Sequence, residues 1–277
     1  MLLYKKTFDN IKTLNCNFPI EDQYYADNKS AIVADGITRD PVGIFDLSEI
    51  SFEEMLKLYP RPSGAELAAK TIIETFSKSE GCLLEKLTIC NQEVKKLNDL
   101  HISRCDYLQN DYYGAVASCI NIEGNKLHYA YICDCGVIVY DKDGKIKFQT
   151  EDDKELYSDP YINQIGIPWN LPDARVIIRR DYRNNLSNIQ DKHCVSYGAL
   201  TGEEDAISFI RTGTIDLENT DTVVIYSDGF TNLLQLPEFI KLVINFDSNN
   251  FEEYIEKISK SNYEKYGKEK TLLIMKK

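Results

Sequence analysis

Residues Ser30–Pro41 read SAIVADGITRDP, and residues Thr222–Leu234 read TVVIYSDGFTNLL. Each is a short apolar run that stops on an Asp-Gly pair, Asp35-Gly36 in the first and Asp228-Gly229 in the second. Short continuous apolar runs bounded in this way fit strands covered on both faces. Asp-Gly is also a common hairpin corner, but neither pair is followed at once by a returning strand, so hairpin corners fit poorly. A carboxylate at the end of a buried strand is held by a rigid backbone, and a following glycine lets the chain turn while baring its carbonyl. Two such ends can share a cation, because magnesium and manganese prefer carboxylate, carbonyl and water oxygens.

Between the two stretches the pattern changes from apolar runs to helical spacing. Ser51 with Glu54 and Ser63 with Glu66 both match the capping box, in which hydroxyl and carboxylate each satisfy a backbone N–H at a helix start. Ala65, Ala68, Ala69, Ile72 and Phe76 then recur at helical spacing. Leu83, Leu87, Cys90, Val94 and Leu97 repeat it beyond Glu80-Gly81, which predicts an antiparallel helix pair covering a sheet. From Ala115 the chain reads as strands: AVASCINI, KLHYAYICD, GVIVY and KIKFQT, with turns at Glu123–Asn125 and Asp143-Gly144. Short turns predict an antiparallel meander. Glu151–His193, punctuated by Pro160, Pro168 and Pro172, carries no assignable pattern. Thr201 with Glu204 predicts a helix through Ile210, Asp221–Ser227 a strand, Pro237–Phe246 and Phe251–Ile258 helices, and KTLLIM a closing strand. Helix pairs separated from strand runs point to an α+β sandwich, and the 277 residues read as one domain, 1–277.

The net charge of -12 argues against a nucleic-acid backbone or an anionic membrane as partner, since both need a positive footprint. No apolar run reaches the length of a membrane span; Tyr129–Tyr140 comes nearest and carries Asp134. A chain starting MLLYKKTFDN shows no secretory pattern, so the expected location is cytoplasmic and the eight cysteines are expected to be reduced. Cys133, Asp134 and Cys135 would serve as a metal knuckle only with a second cysteine pair, and buried thiols are the alternative. None of His101, His128 and His193 lies in a motif, and the patterns of serine nucleophiles, cysteine nucleophiles and phosphate loops are absent.

The order of the pieces carries more than any one of them. Glu21-Asp22 precedes the strand ending in Asp35-Gly36; then follow SGAELAA, GAVASCI, AYICDCGVIVYDKDG, YGALTG, VIYSDGF and KEKTLLIM. This series resembles, over nearly the whole chain, the protein phosphatase 2C (PPM) family of metal-dependent serine/threonine phosphatases in its bacterial form. The resemblance implies a four-layer α-β-β-α sandwich of two antiparallel sheets flanked by antiparallel helices. It implies hydrolysis of phosphoserine or phosphothreonine by a metal-activated water, with two Mn2+ or Mg2+ ions and a third in some members. Asp35 would bridge the ions, Glu21 and the Gly36 carbonyl would hold one, and Asp228, helped by Glu269, the other. Asp22 would orient water and Asp134 would serve the third ion. The implied partners are a phosphoprotein substrate and a cognate serine/threonine kinase, which gives the chain a place in signalling.

Three departures qualify the resemblance. The family's terminal motif begins with a metal-binding aspartate, and Lys268 stands in its place in the segment Lys268–Thr271. Either Glu269 substitutes through its longer arm, or the Lys268 ammonium takes space a metal would otherwise fill. The second alternative makes the chain a one-metal variant, or a pseudophosphatase that binds a partner or phosphopeptide without turnover. The phosphate-binding arginine that precedes Glu-Asp in many members is Asn17, with Arg39 as a replacement candidate. A histidine that some members carry after Asp-Gly is Ile37.

Overall fold

The structure, a computed structural model, describes residues 2–9, 20–38, 51, 53, 57, 59, 61–152, 166, 171–188 and 196–277. Among these residues ten strands form two five-stranded antiparallel sheets. The first sheet has the order β2 (Gln23–Ala26), β3 (Ser30–Gly36), β4 (Ala115–Glu123), β5 (Lys126–Ile132) and β8 (Arg211–Asp216). The second has the order β1 (Leu2–Phe8), β10 (Lys270–Lys276), β9 (Thr222–Tyr226), β6 (Gly136–Tyr140) and β7 (Ile146–Gln149).

Alternation along each strand sorts its residues into layers. Ala31 and Val33 of β3 meet Val223 and Ile225 of β9 and Leu273 and Met275 of β10 in the core between the sheets. Their neighbours Ile32 and Ala34 turn outward onto α1 (Gly64–Lys78) and α2 (Leu83–His101). Val224, Tyr226, Leu272 and Ile274 turn outward onto α4 (Pro237–Ile244) and α5 (Ser248–Ser261). The result is the predicted α+β sandwich. Ser63 caps α1 as the sequence indicates: its Oγ accepts from Glu66 N at 3.0 Å, and the Glu66 carboxylate accepts from Ser63 N. On the buried face of that helix, Ile72 and Phe76 are fully enclosed, each contributing roughly 1.5–3 kcal/mol of apolar burial.

Several sequence expectations are corrected. The strands from Ala115 to Thr150 are not one meander: β4 and β5 form a hairpin in one sheet, β6 and β7 a hairpin in the other. The link Cys133–Cys135 carries the chain across, with Cys133 at φ 66, a left-handed conformation that nothing in its residue type advertises. The expected helix after Thr201 is a 3-10 segment, Glu204–Phe209. Thr201 does not cap it; its hydroxyl donates to Glu203 Oε2 at 2.7 Å, and the chain must straighten at once into β8. Strand β8 carried no prediction, and Pro172–Asp181 forms a helix, α3, inside the stretch that had none. Tyr263–Tyr266 adds a short α6 before β10. Glu54, the partner of Ser51, lies outside the described residues. The six described cysteines are free. No helix among the described residues is long and apolar enough to cross a membrane.

Candidate active site

Strand register brings the acidic motifs to one edge. Asp35 pairs with Val116 at the start of β4, and Ala117 pairs with Ile132 at the end of β5, so Asp134 follows beside them. In the other sheet Gly136 pairs with Tyr226 at the end of β9, which pairs with Leu272 near the start of β10. A hydrogen bond joins the two edges: Ser227 Oγ, after β9, donates to Asp22 Oδ2, before β2, at 2.6 Å.

Each carboxylate is held by its own set of donors. Glu21, 2 % exposed, accepts from the hydroxyls of Thr38, Tyr59 and Ser63. Ser63 therefore serves twice, capping α1 through its lone pair and holding Glu21 through its proton. Asp22, 4 % exposed, is fixed by Ser227, whose Oγ also accepts from Thr271 N at 2.8 Å. Glu269 Oε1 accepts from the backbone N–H of Asp22 at 2.7 Å and so ties the Glu-Asp segment to the start of β10. Asp228 opens a 3-10 turn, and its Oδ2 accepts from Lys268 Nζ at 2.9 Å. Asp134 is buried in the crossing between the sheets. Arg39 and Asn17 lie outside the described residues.

The two glycines are required by close approach. Neither adopts a positive φ. A Cβ on Gly36 would stand 2.9 Å from the Ala65 Cβ and carbonyl oxygen, where α1 packs on the end of β3. A Cβ on Gly229 would stand 2.1 Å from the Glu269 carbonyl oxygen. Asp35-Gly36 thus ends β3 and Asp228-Gly229 opens the turn just after β9, each pressed against a neighbouring segment.

Sequence reasoning named the carboxylates and missed most of the hydroxyls that orient them. Ser227 and Thr271 sit inside quoted motifs without a role, and Ser63 was legible as a helix cap only. Thr38 and Tyr59 carry no signal at all, since a lone hydroxyl far from Glu21 in sequence matches no pattern.

The electrostatics follow from crowding like charges in a partly dry edge. Burial, then the charges of Asp22, Asp228, Asp134 and Glu269, push the Asp35 carboxyl well above the usual range. Burial raises Asp22 to about 6 against the bonds from Ser227 and Thr271 that lower it, and raises Glu269 to about 9 with help from Asp22. The Cys135 thiol is raised by burial and by the same carboxylates, so it stays neutral. On the cationic side stand Lys268 and the buried Lys270, whose ammonium donates to the Lys268 carbonyl at 2.7 Å and to Ser259 Oγ at 3.3 Å. Burial lowers Lys270 to about 8, against the pull of Asp22 and Glu269.

Among the described residues no three His, Cys, Asp or Glu side chains converge closely enough to hold a metal ion as they stand. The donor set is nonetheless that of a hard divalent cation: carboxylates massed around Asp35, with the Gly36 backbone beside it. On the Asp35 side the chemistry of the donors suits such an ion, although both Glu21 oxygens already accept from hydroxyls. On the Asp228 side the fit is poor, because Lys268 already engages that carboxylate and Glu269 is turned to a backbone donor.

No protein-family model matches the sequence, and no curated protein matches it. Solved structures do. The Mycobacterium tuberculosis serine/threonine phosphatase PstP/Ppp superposes with a TM-score of 0.58 at 15 % identity, over 99 % of this chain and 98 % of that one.

The chain has the fold of the bacterial PP2C-type serine/threonine phosphatases.

Staphylococcus aureus Stp1 gives a TM-score of 0.60 at 12 % identity, over 100 % of this chain and 95 % of that one. The PstP catalytic domain in complex with two manganese ions gives 0.57 at 15 % identity, over 98 % and 95 %. At such identities the likeness establishes the two-sheet fold, and the chemistry has to be argued from this chain's own residues.

Proposed function

We propose that this chain is a metal-dependent protein phosphatase that hydrolyses phosphoserine or phosphothreonine, with residues 1–277 working as one unit. The observation that supports this most is the meeting of Asp22, Asp35, Asp134, Asp228 and Glu269 at one edge of the sandwich. A manganese or magnesium ion bound there would neutralise charge on the phosphoryl oxygens and acidify a water. Asp35, the Gly36 carbonyl, Glu21 and Asp134 are the oxygen donors assigned to it. Asp22, held by the Ser227 hydroxyl, is assigned the role of orienting the attacking water and accepting its proton. As the water oxygen bonds to phosphorus, the P–O bond to the serine or threonine oxygen breaks, and that oxygen leaves as the alcohol by taking up a proton, the equivalent of the one Asp22 removed. Arg39 is assigned to the substrate phosphate. A phosphoprotein made by a serine/threonine kinase is the corresponding substrate.

The Lys268–Asp228 ion pair favours a second reading, a phosphopeptide-binding module without turnover. The test is hydrolysis of a phosphothreonine peptide and of p-nitrophenyl phosphate with added manganese, comparing wild type with Asp35→Asn. Manganese-dependent turnover that disappears in the variant is expected. Folded wild type that turns over neither substrate would refute the enzyme reading.

A further inference from the structure

The Asp228 side of the site is already cationic. Lys268 Nζ lies 2.9 Å from Asp228 Oδ2. Behind it the Lys270 ammonium, from a residue 1 % exposed, is fixed on the Lys268 backbone carbonyl at 2.7 Å. Two ammonium groups therefore stand where β10 begins. The carboxylate nearest in sequence, Glu269, is already engaged: its Oε1 accepts from Asp22 N at 2.7 Å. Turning it away would leave that N–H, on a residue 4 % exposed, without its acceptor.

We propose that Lys268 is a built-in cation that takes the place of one of the two ions carried by the manganese-bound neighbour, so that this chain binds a single divalent ion, on the Asp35 side. The proposal rests on the metal-binding reading above and concerns the number of ions. A divalent ion at Asp228 would have to displace the Lys268 ammonium from that carboxylate, and the half-exposed lysine would remain a like charge within a side chain's length of it. An ion at Asp35 meets the charges of Asp22, Asp228 and Asp134. An ammonium also differs chemically from a metal ion: it offers donors and charge, and does not acidify a water for attack.

The experiment counts Mn2+ on the full chain by calorimetric titration, with elemental analysis after desalting. Wild type is expected to hold one ion, and Lys268→Asp, which supplies a carboxylate and removes the ammonium, two. Asp228→Asn, with its folding checked by circular dichroism, is expected to keep the single ion, because the Asp228 carboxylate is engaged by Lys268. Two ions on wild type, a count of one in folded Lys268→Asp, or loss of the ion in Asp228→Asn would each overturn the proposal. No ion on wild type or on Lys268→Asp would overturn the metal-binding reading itself, and the proposal with it.

Discussion

Replacing Asp111 by asparagine tests the polar core that fixes the segment beside the site. Asp111 is 1 % exposed, and its two oxygens accept from Arg183 Nη2 and Nη1 at 2.8 and 2.9 Å, with Arg179 Nε at 3.5 Å. The Arg183 guanidinium is itself buried, 5.9 Å from the ring centres of Tyr107 and Tyr112. Asparagine keeps the shape and removes the charge, leaving Glu203, at 3.3 Å from Arg183 Nε, as the carboxylate partner. Breaking one side of a buried pair costs about 3–5 kcal/mol. The remaining Glu203 puts the expected loss at the lower end, about 3 kcal/mol, or roughly 6–12 °C in Tm for a chain of this size. Burial pushes the Asp111 carboxyl upward, but the charge and hydrogen bonds of Arg183 outweigh it and hold the group below its ordinary value. Its stabilisation is therefore complete above the unfolded pKa of about 3.9 and is lost as pH falls through the lower folded value. Thermal melts of both proteins at pH 8, 6, 4 and 3 check this. A variant within about 1 kcal/mol of wild type at neutral pH, or a gap that does not narrow on acidification, would refute the reasoning.

Gly229→Ala should cost about 3 kcal/mol, the upper end of overpacking, because the new Cβ would meet the Glu269 carbonyl at 2.1 Å, and backbone cannot yield as a side-chain tip does; urea unfolding measures it, and a loss under about 1 kcal/mol would show that the turn relaxes. Asp35→Asn, tested with EDTA present, should melt above wild type at pH 8, with the difference closing toward pH 4. Burial and the neighbouring carboxylates raise the folded pKa of Asp35 above its unfolded value, so ionising it destabilises the native state as pH rises. A variant no more stable than wild type at pH 8 would remove the argument that charge is crowded there.

What the sequence made legible and what it hid divide along a physical line. Asp35-Gly36, Asp228-Gly229, the Ser63–Glu66 cap and the helical stripe from Ala65 to Phe76 are local patterns, and local backbone preference decides them. The crossing at Cys133 is a tertiary event: a cysteine takes a left-handed conformation because the next strand pairs in the other sheet, and no turn residue announces it. Strand β8 is an edge whose half-buried residues alternate with exposed ones, and Gly213 at its centre suits the Tyr129 ring, which leaves no room for a side chain. The fate of Lys268 was open between two readings from sequence, because the choice depends on where Glu269 points, and that is set by a backbone N–H far away in the chain.

The same alternation that builds the core also builds the site. Val33, Ile225 and Leu273 lie between the sheets, and two residues further along β3 and β9, or two back along β10, the inward positions are Asp35, Ser227 and Thr271. One more step back from Thr271 reaches Glu269. The acidic edge is thus the last layer of the sandwich, occupying positions that would hold apolar side chains if the sheets continued. That explains why the carboxylates are both rigid and poorly solvated: strand pairing fixes their backbones and the layer beneath them excludes water. Hydroxyls at Thr38, Tyr59, Ser63 and Ser227 supply the hydrogen bonds that such burial demands. Charge compensation is the requirement they leave unmet, and on the Asp228 side Lys268 meets it from within the chain.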